Sequence, residues 1–514
     1  MTAAMTTTWK LNADTVVGVI GAGSMGAGIA QLAAQSGHAV RLFDLQAGAA
    51  QRALERIEAD LDASVKKGRL EEHERAAARS RLGAVESLEA LAGCGLVVEA
   101  IVERLDAKQA LFKQLEGLLD ASAVLATNTS SISITAVAQG LAHPQRLIGW
   151  HFFNPPTRMK LVEVIRGVET DPDLAIALHA LGKAWGKSSV DAPNAPGFIV
   201  NRVARPYYAE GLRLLAERIA EPQAIDRLLR EAGGFALGPF ELIDLIGADV
   251  NLSVTESVFA ATGWDARYAP NLIQQELVRA GRFGRKSGRG FYDYRDGAKP
   301  PLAATVAPVT ATPENALVVR AGEQSGALLS LLVERLRFAD VAIETDRSLA
   351  NETLCIGEIV VALTDGRTLA ERRAETAAPM LLLDLARDYS TTHTIGATGP
   401  EEALAQLAAV LWPAQIEVIA LADVAGLVLM RTVACLANEA ADVMTWTGTT
   451  AVDIDVAMRL GTAYPIGPLA WADAIGVARV VQVLANLQAH YGDARYRRSP
   501  LLAAKHFAKA GFHG

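Results

Sequence analysis

TVVGVIGAGSMGAGIAQLAAQSGHAVRLFD, residues 15–44, reads as strand, tight turn, helix and strand. The β-branched run 15–20 is a buried parallel strand by pattern, and it ends in glycines. A small-residue, helix-friendly segment follows and stops at Gly37, and HAVRLFD forms the next strand. The turn contains Gly21-x-Gly23-x-x-Gly26, with Ser24 and Met25 between the last two glycines. In this context Gly21 permits the turn, Gly23 lets backbone approach a pyrophosphate, and Gly26 lets helix and strand pack closely. Asp44 ends the second strand, where a carboxylate accepts hydrogen bonds from a ribose and repels a 2′-phosphate. No arginine follows it in DLQAGAA, so the reading is an NAD site and not an NADP site.

Working outward, GLVVEAIV (95–102), SAVLATNTS (122–130), RLIGWHFF (146–153) and LVEVIR (161–166) are further strands, several separated by helical patterns. The alternation predicts a parallel, doubly wound Rossmann-type sheet over residues 1–192. From residue 193 the period becomes helical, which predicts an all-helical domain over 193–295. The Pro-, Ala- and Thr-rich segment 296–315 reads as a linker. Residues 316–420 then read as a reduced α/β domain opening with another β-α-β. RAGEQSGALL lacks the glycine turn, so no second NAD site is expected. Residues 421–514 read as a second helical domain.

With 514 residues, a single core is too small an answer, and the net charge of −8 argues against nucleic-acid binding. Cys94, Cys355 and Cys435 lie far apart, which excludes a disulfide framework and a CxxC zinc site and fits a reducing cytoplasm. No metal cluster is expected. The amino-terminal segment has no apolar core of a secretory signal. The most apolar stretch, IEVIALADVAGLVLMRTVACLA (416–437), carries Glu417, Asp423 and Arg431, so it reads as buried helix and not as a membrane span.

Two clusters carry polar chemistry. In GWHFFNPPTRMKLVEVI (149–165), His151 closes one strand and Glu163 sits in the next, across a turn set by Pro155 and Pro156. The pair is either a base with its orienting carboxylate or a core histidine with an unrelated glutamate. In ATNTSSISIT (126–135), Asn128, Thr129, Ser130 and Ser131 leave a strand at the ligand-binding edge. They either bind a ligand or cap a helix. Asn201 lies among helical apolar residues and needs a partner from backbone or ligand.

The segment 197–247 recurs at 426–476, with 11 identities in 51 ungapped positions. Gly197, Arg202, Glu210, Asp226, Gly238-Pro239, Asp244 and Gly247 return at a constant offset of 229, while Asn201 becomes Met430. Helix periodicity does not align turn residues in this way, so the segment is an internal duplication.

Taken together, GVIGAGSMGAGIAQLAAQSGH, VVEAIVERLDAK, TNTSSISIT, HFFNPPTRMKLVEV, PGFIVNR, LGPFELIDLIGADV and GRKSGRGFYDY resemble the L-3-hydroxyacyl-CoA dehydrogenase family. The layout resembles its long bacterial form, with a reduced Rossmann-like domain and a second helical domain. The resemblance implies NAD-dependent oxidation of a 3-hydroxyacyl-CoA. The long form points to 3-hydroxyadipyl-CoA in phenylacetate breakdown, the alternative being 3-hydroxybutyryl-CoA. In a different class, the chain would be a non-catalytic NAD-binding structural protein. His151 is implied as general base, Glu163 as its orienting partner, Ser130 as a hydrogen-bond donor to the 3-oxygen, and Asn201 as a holder of substrate and histidine. Glu103, Lys108, Asn154 and Lys286 match positions near the cofactor, and Lys67 one that meets CoA phosphate. Arg158 and Arg205 are candidate partners for a terminal carboxylate. An acyl-CoA substrate, no nucleic acid, no membrane, a homodimer or an intramolecular pseudo-dimer of helical domains, and a transient complex with other β-oxidation enzymes complete the expectations.

Overall fold

The computed structural model describes residues 9–309, 318–322, 326–349 and 353–514. The chain divides into two compact units, Met1–Arg202 with Leu460–Thr462, and Val203–Arg459 with Ala463–Gly514.

The first unit is built on β1 (Val17–Ile20), β2 (Val40–Phe43), β3 (Leu82–Ala84), β4 (Leu96–Glu99), β5 (Val124–Thr127), β6 (Leu147–Phe152), β7 (Leu161–Ile165) and β8 (Ser188–Ala192). Their order is β3-β2-β1-β4-β5-β6-β7-β8. β1 and β4 to β7 are buried throughout, as strands covered on both faces must be. The helix Ser24–Gln35 lays Ile29, Ala30, Ala33 and Ala34 into the core.

The sheet departs from the all-parallel expectation at one place. β6 and β7 are antiparallel, with His151 opposite Glu163. Residues 153–160 are too few for a crossover helix, so the chain turns straight back. β3 and β8 lack a strand signal in the sequence, β3 because it has three residues and β8 because SSVDA is a half-exposed edge.

The second unit holds a mixed sheet of β9 (Val319–Ala321), β10 (Ile343–Thr345), β11 (Thr353–Ile356), β12 (Ile359–Leu363), β13 (Met380–Leu383), β14 (Thr394–Thr398) and β15 (Glu417–Ala420), ordered β10-β9-β11-β12-β13-β14-β15. β9 and β10 are parallel around the helix Gly326–Phe338. Glu323–Ser325, within the segment read as lacking the glycine turn, lies outside the described residues, as does 310–315 of the linker. The stretch 416–437 is not one helix. It is β15, a turn and the start of the helix Leu429–Thr447, and its length misled because an apolar run does not distinguish strand from buried helix. Among the described residues no single helix is long and apolar enough to cross a membrane.

The repeat now has a physical content. Gly197 and Gly426 take φ of 76° and 79°, and the next residues, Phe198 and Leu427, are also left-handed. Asp226 accepts hydrogen bonds from Phe240 N and Glu241 N, and Asp455 does the same for Leu469 N and Ala470 N. A Cβ on Gly238 or Gly467 would lie about 2 Å from that aspartate, so no larger residue fits. What survives in both copies are turns and clamps on helix N-termini.

The duplication also reaches the sheets. β6, β7 and β8 pair antiparallel then parallel, and so do β13, β14 and β15. Glu163 pairs with Val190 in the first set and Gly396 with Ile419 in the second. Asp384, following β13, donates its N–H to Gly396 O at 2.8 Å. Asp384 and Gly396 thus stand where the first copy has His151 and Glu163.

Within the second unit the helical copies exchange equivalent contacts. Both carry DARY, at 265–268 and 493–496. Tyr268 bonds Glu439, and Tyr496 bonds Glu210 at 3.2 Å. Buried Arg431 bonds Glu210 at 2.7 Å and Glu217 at 2.9 Å. A reciprocal pairing of this kind is the mark of a two-fold interface.

Candidate active site

The glycine loop sits at the carboxyl end of β1. Gly21 has φ of 100°, and a Cβ on Gly26 would fall 1.8 Å from Gly21 O, so both positions require glycine. The helix Ser24–Gln35 starts from Gly23 with no side-chain cap, and Gly23 and Ser24 are exposed while Met25 is half-buried. Its first N–H groups therefore point toward an anion site. Asp44 accepts from Ala22 N at 2.6 Å and Gln46 N at 2.8 Å, which fixes its carboxylate beside the loop. Arg56 donates to Ala22 O at 2.8 Å and holds the loop from behind. An open cavity of about 660 Å³ is lined by Gly21, Gly23, Asp44, Leu45, Val102 and Leu111. An uncapped helix end, a carboxylate and an apolar slot fit the pyrophosphate, ribose and adenine of a dinucleotide.

At the ends of β4 and β5 a carboxylate network orders the serine segment. Glu99 and Lys108 are buried and paired at 2.6 Å, and Thr127 Oγ1 donates to Glu99 at 2.6 Å. Lys108 also reaches Glu103 at 3.2 Å. Glu103 accepts from Thr129 Oγ1 (2.6 Å), Ser130 N (2.9 Å), Ser131 Oγ (3.0 Å) and Ser131 N (3.2 Å). Ser130 Oγ lies 3.4 Å from the same oxygen. Burial raises the Glu103 carboxyl, but Lys108 and these hydrogen bonds outweigh it and hold the group below its ordinary range. Asn128 Oδ1 accepts from Phe152 N at 2.8 Å, tying the serine segment to the histidine strand.

His151 and Glu163 face each other across β6 and β7, both buried, with Nδ1 to Oε2 at 2.7 Å. The other glutamate oxygen accepts from Ile199 N and Val200 N, each at 3.1 Å. These amides open the short helix Val200–Val203, whose second residue is Asn201. Asn201 Nδ2 donates to Ser130 O at 3.4 Å. The rings of Phe153 and Phe198 stand 4.5 and 5.8 Å from the imidazole. The structure therefore brings Ser130, His151, Glu163, Asn201, Glu103 and Lys108 into one connected set. With Nδ1 engaged by a carboxylate, the imidazole presents Nε2 as a proton acceptor.

The other expected residues lie on other elements. Asn154 is exposed on the loop after β6. Lys67 is exposed at the C-terminal end of the helix Ala49–Lys66. Lys286 belongs to the second unit, where it pairs with Asp249 at 2.6 Å. Arg158 is exposed. Arg205, also in the second unit, is buried over the Tyr208 ring and donates to Thr255 Oγ1 at 3.1 Å. Among the described residues no group of three His, Cys, Asp or Glu side chains is placed to hold a metal.

Residues 16–195 match the model for the 3-hydroxyacyl-CoA dehydrogenase NAD binding domain, and 197–294 together with 426–514 match the C-terminal domain of the same enzymes. The chain belongs to the 3-hydroxyacyl-CoA dehydrogenase family. It is an NAD-dependent oxidoreductase with an acyl-CoA substrate. Residues 361–424 match a 3-hydroxybutyryl-CoA dehydrogenase reduced Rossmann-fold domain. A 3-hydroxyadipyl-CoA dehydrogenase of Escherichia coli K12 is 41% identical over 98% of this chain and 99% of its own length. A probable 3-hydroxybutyryl-CoA dehydrogenase of Bacillus subtilis is 41% identical over 54% of this chain and 96% of its own. Among solved structures, 3-hydroxybutyryl-CoA dehydrogenase from Escherichia coli K12 is similar at TM-score 0.87 and 39% identity, covering 97% of this chain and 99% of that one. The C-terminal model falls on both helical copies, in agreement with the internal repeat.

The second copy keeps the clamp and drops the pair. Asp384 accepts from Leu385 N, Val428 N, Leu429 N and Met430 N at 2.7–3.0 Å, the last three opening the helix with Met430 in the place of Asn201. Burial pushes the Asp384 carboxyl up from 3.8 to about 6 against those four bonds. A raised folded value means the native state binds the proton more tightly than the unfolded chain. This contribution to stability therefore falls as pH rises from about 4 to about 6, by roughly 3 kcal/mol at 1.4 kcal/mol per unit. Asp384→Asn cannot titrate, so urea midpoints of parent and variant are expected to diverge across that window, with the parent losing ground. Parallel curves would show that Asp384 does not titrate there.

Proposed function

We propose that His151 is the general base of a single catalytic centre that oxidises (S)-3-hydroxyacyl-CoA to 3-oxoacyl-CoA, and that the physiological acyl chain is 3-hydroxyadipyl. The observation that carries the reading is the buried Nδ1–Oε2 bond of 2.7 Å between His151 and Glu163. It keeps the proton on Nδ1, so Nε2 takes the proton of the substrate 3-hydroxyl. As the imidazole becomes cationic it faces a carboxylate whose second oxygen is already held by two backbone amides. Ser130 and Asn201 hold the 3-oxygen and the histidine. Gly21, Gly23, Ser24, Met25, Gly26 and Asp44 bind NAD, with Glu103, Lys108, Asn154 and Lys286 near it, and Lys67 meets CoA phosphate. NAD, when bound, supplies the hydride acceptor for C3.

The adipyl reading is supported by the relative named for that substrate, which matches over the whole chain, whereas the relative of Bacillus subtilis named for the butyryl substrate matches over half of it. The name of the full-length solved neighbour favours the butyryl alternative. Comparing kcat/KM for the two substrates separates them. At least about tenfold preference for 3-hydroxyadipyl-CoA is expected, the worth of one good interaction with the terminal carboxylate. Equal or reversed values select the butyryl reading. No turnover with either would leave an NAD-binding structural protein.

We further assign 1–192, 193–295, 296–315, 316–420 and 421–514 as NAD-binding, helical, linker, reduced α/β and second helical parts. The helical pair serves as an internal replacement for a dimer contact, supported by the reciprocal Tyr–Glu bonds. The three cysteines are free and buried, in keeping with work in a reducing cytoplasm.

A further inference from the structure

We propose that Lys187 is a positioning residue for the reaction: its ammonium pins the loop that joins the histidine strand to the glutamate strand, and through Pro156 seats that loop on the helix of the glycine motif. Lys187 is buried, and its Nζ donates to Pro156 O at 2.5 Å and Met159 O at 2.8 Å. Both carbonyls belong to the connection 153–160, five residues after His151 and four before Glu163. Ser188 N donates to Lys160 O at 2.8 Å and closes the same loop against β8. On its other side the buried Pro156 ring lies against Gly28, where an added Cβ would come within 2.8 Å of Cδ. Gly28 stands one turn along the helix whose first residues form the dinucleotide loop. Lys187, Pro156 and Gly28 therefore tie the base and its carboxylate to the cofactor helix.

The second copy uses the same device with a different cation. Arg335 donates to Tyr389 O at 3.2 Å and to Thr392 O, the carbonyls that correspond to those of Pro156 and Met159. Ile416 replaces the lysine. A cation holds the loop carbonyls in both copies, buried in the first and half-buried in the second, but only the first loop joins a histidine to its glutamate. There the cation is one that titrates. Burial, and secondarily Lys160 nearby, lowers the Lys187 ammonium from 10.5 to about 8. Deprotonation leaves the amine two donors but removes the charge assistance to both bonds.

The inference rests on His151 being the base. The test is the pH profile of kcat/KM for NAD in the oxidation direction, with saturating (S)-3-hydroxybutyryl-CoA, for the parent, Lys187→Arg and Lys187→Met. The parent is expected to lose about tenfold on a descending limb above pH 8. Lys187→Arg is expected to keep the activity seen at pH 7 and lose the limb, and Lys187→Met to show the tenfold loss at every pH with a wild-type far-ultraviolet spectrum. A parent profile flat from pH 7 to 10 overturns the proposal whether or not the variants fold. So does a Lys187→Arg that retains the limb, or a Lys187→Met with parental kinetics. If His151→Gln is inactive while Lys187→Met is normal, only this proposal fails. If His151→Gln is fully active, the assignment of the base fails with it.

Discussion

His151→Gln is expected to lower kcat roughly 10²–10⁴-fold, the usual worth of a positioned general base, while NADH affinity stays within about threefold of the parent. Glutamine fills much of the imidazole volume between Phe153 and Phe198 but has no basic nitrogen. The glycine loop, Asp44 and the Glu103 network do not depend on the imidazole, so cofactor binding is preserved. Stopped-flow reduction of acetoacetyl-CoA with fluorescence titration of NADH reads both quantities. A variant retaining more than about a tenth of parental kcat would remove His151 from the proton transfer.

Glu163→Gln is expected to cost a similar factor, roughly 10²–10⁴ in kcat, through the tautomer. The glutamine oxygen can still accept from Ile199 N and Val200 N, which keeps the clamp on the Asn201 helix. Its NH₂ then faces Nδ1 and donates to it, so the imidazole proton moves to Nε2, where a lone pair is needed. The variant should melt close to the parent. Glu163→Ala adds a stability loss of about 1–3 kcal/mol by leaving two buried amides without an acceptor. The two variants together separate chemistry from folding. If Glu163→Gln keeps kcat and Glu163→Ala only unfolds more readily, Glu163 is a clamp and nothing more, the role Asp384 has in the second copy.

How much of this was legible in the sequence depends on how the signal is carried. The glycine loop and Asp44 lie within thirty residues and announce their context. His151 and Glu163 were visible as a pair of polar residues in apolar strands, but spacing alone left a core histidine open. The antiparallel reversal that brings them together follows from an eight-residue loop. The network behind the serine segment was less readable. Glu99 is a lone carboxylate in LVVEA, and its partners come from three separate elements. Lys187 carries no local sign that two loop carbonyls await it. The second copy was half legible. Its helices keep a constant offset of 229, so turn residues align by eye. Its sheet does not, because the connection between β14 and β15 is shorter than that between β7 and β8, and the chemistry has changed. Only the pairing of Gly396 with Ile419 and the bond from Asp384 N to Gly396 O expose the correspondence with Glu163 and His151.

The central claim is that one copy holds the cofactor and the chemistry while the other keeps the clamps. It is tested most directly by the stoichiometry of NADH binding to the full chain, measured by calorimetric titration at saturating protein. One NADH per chain is the result expected from a single glycine loop with an uncapped helix end and Asp44 beside it. Two per chain would place a second dinucleotide site in the reduced domain and contradict the account.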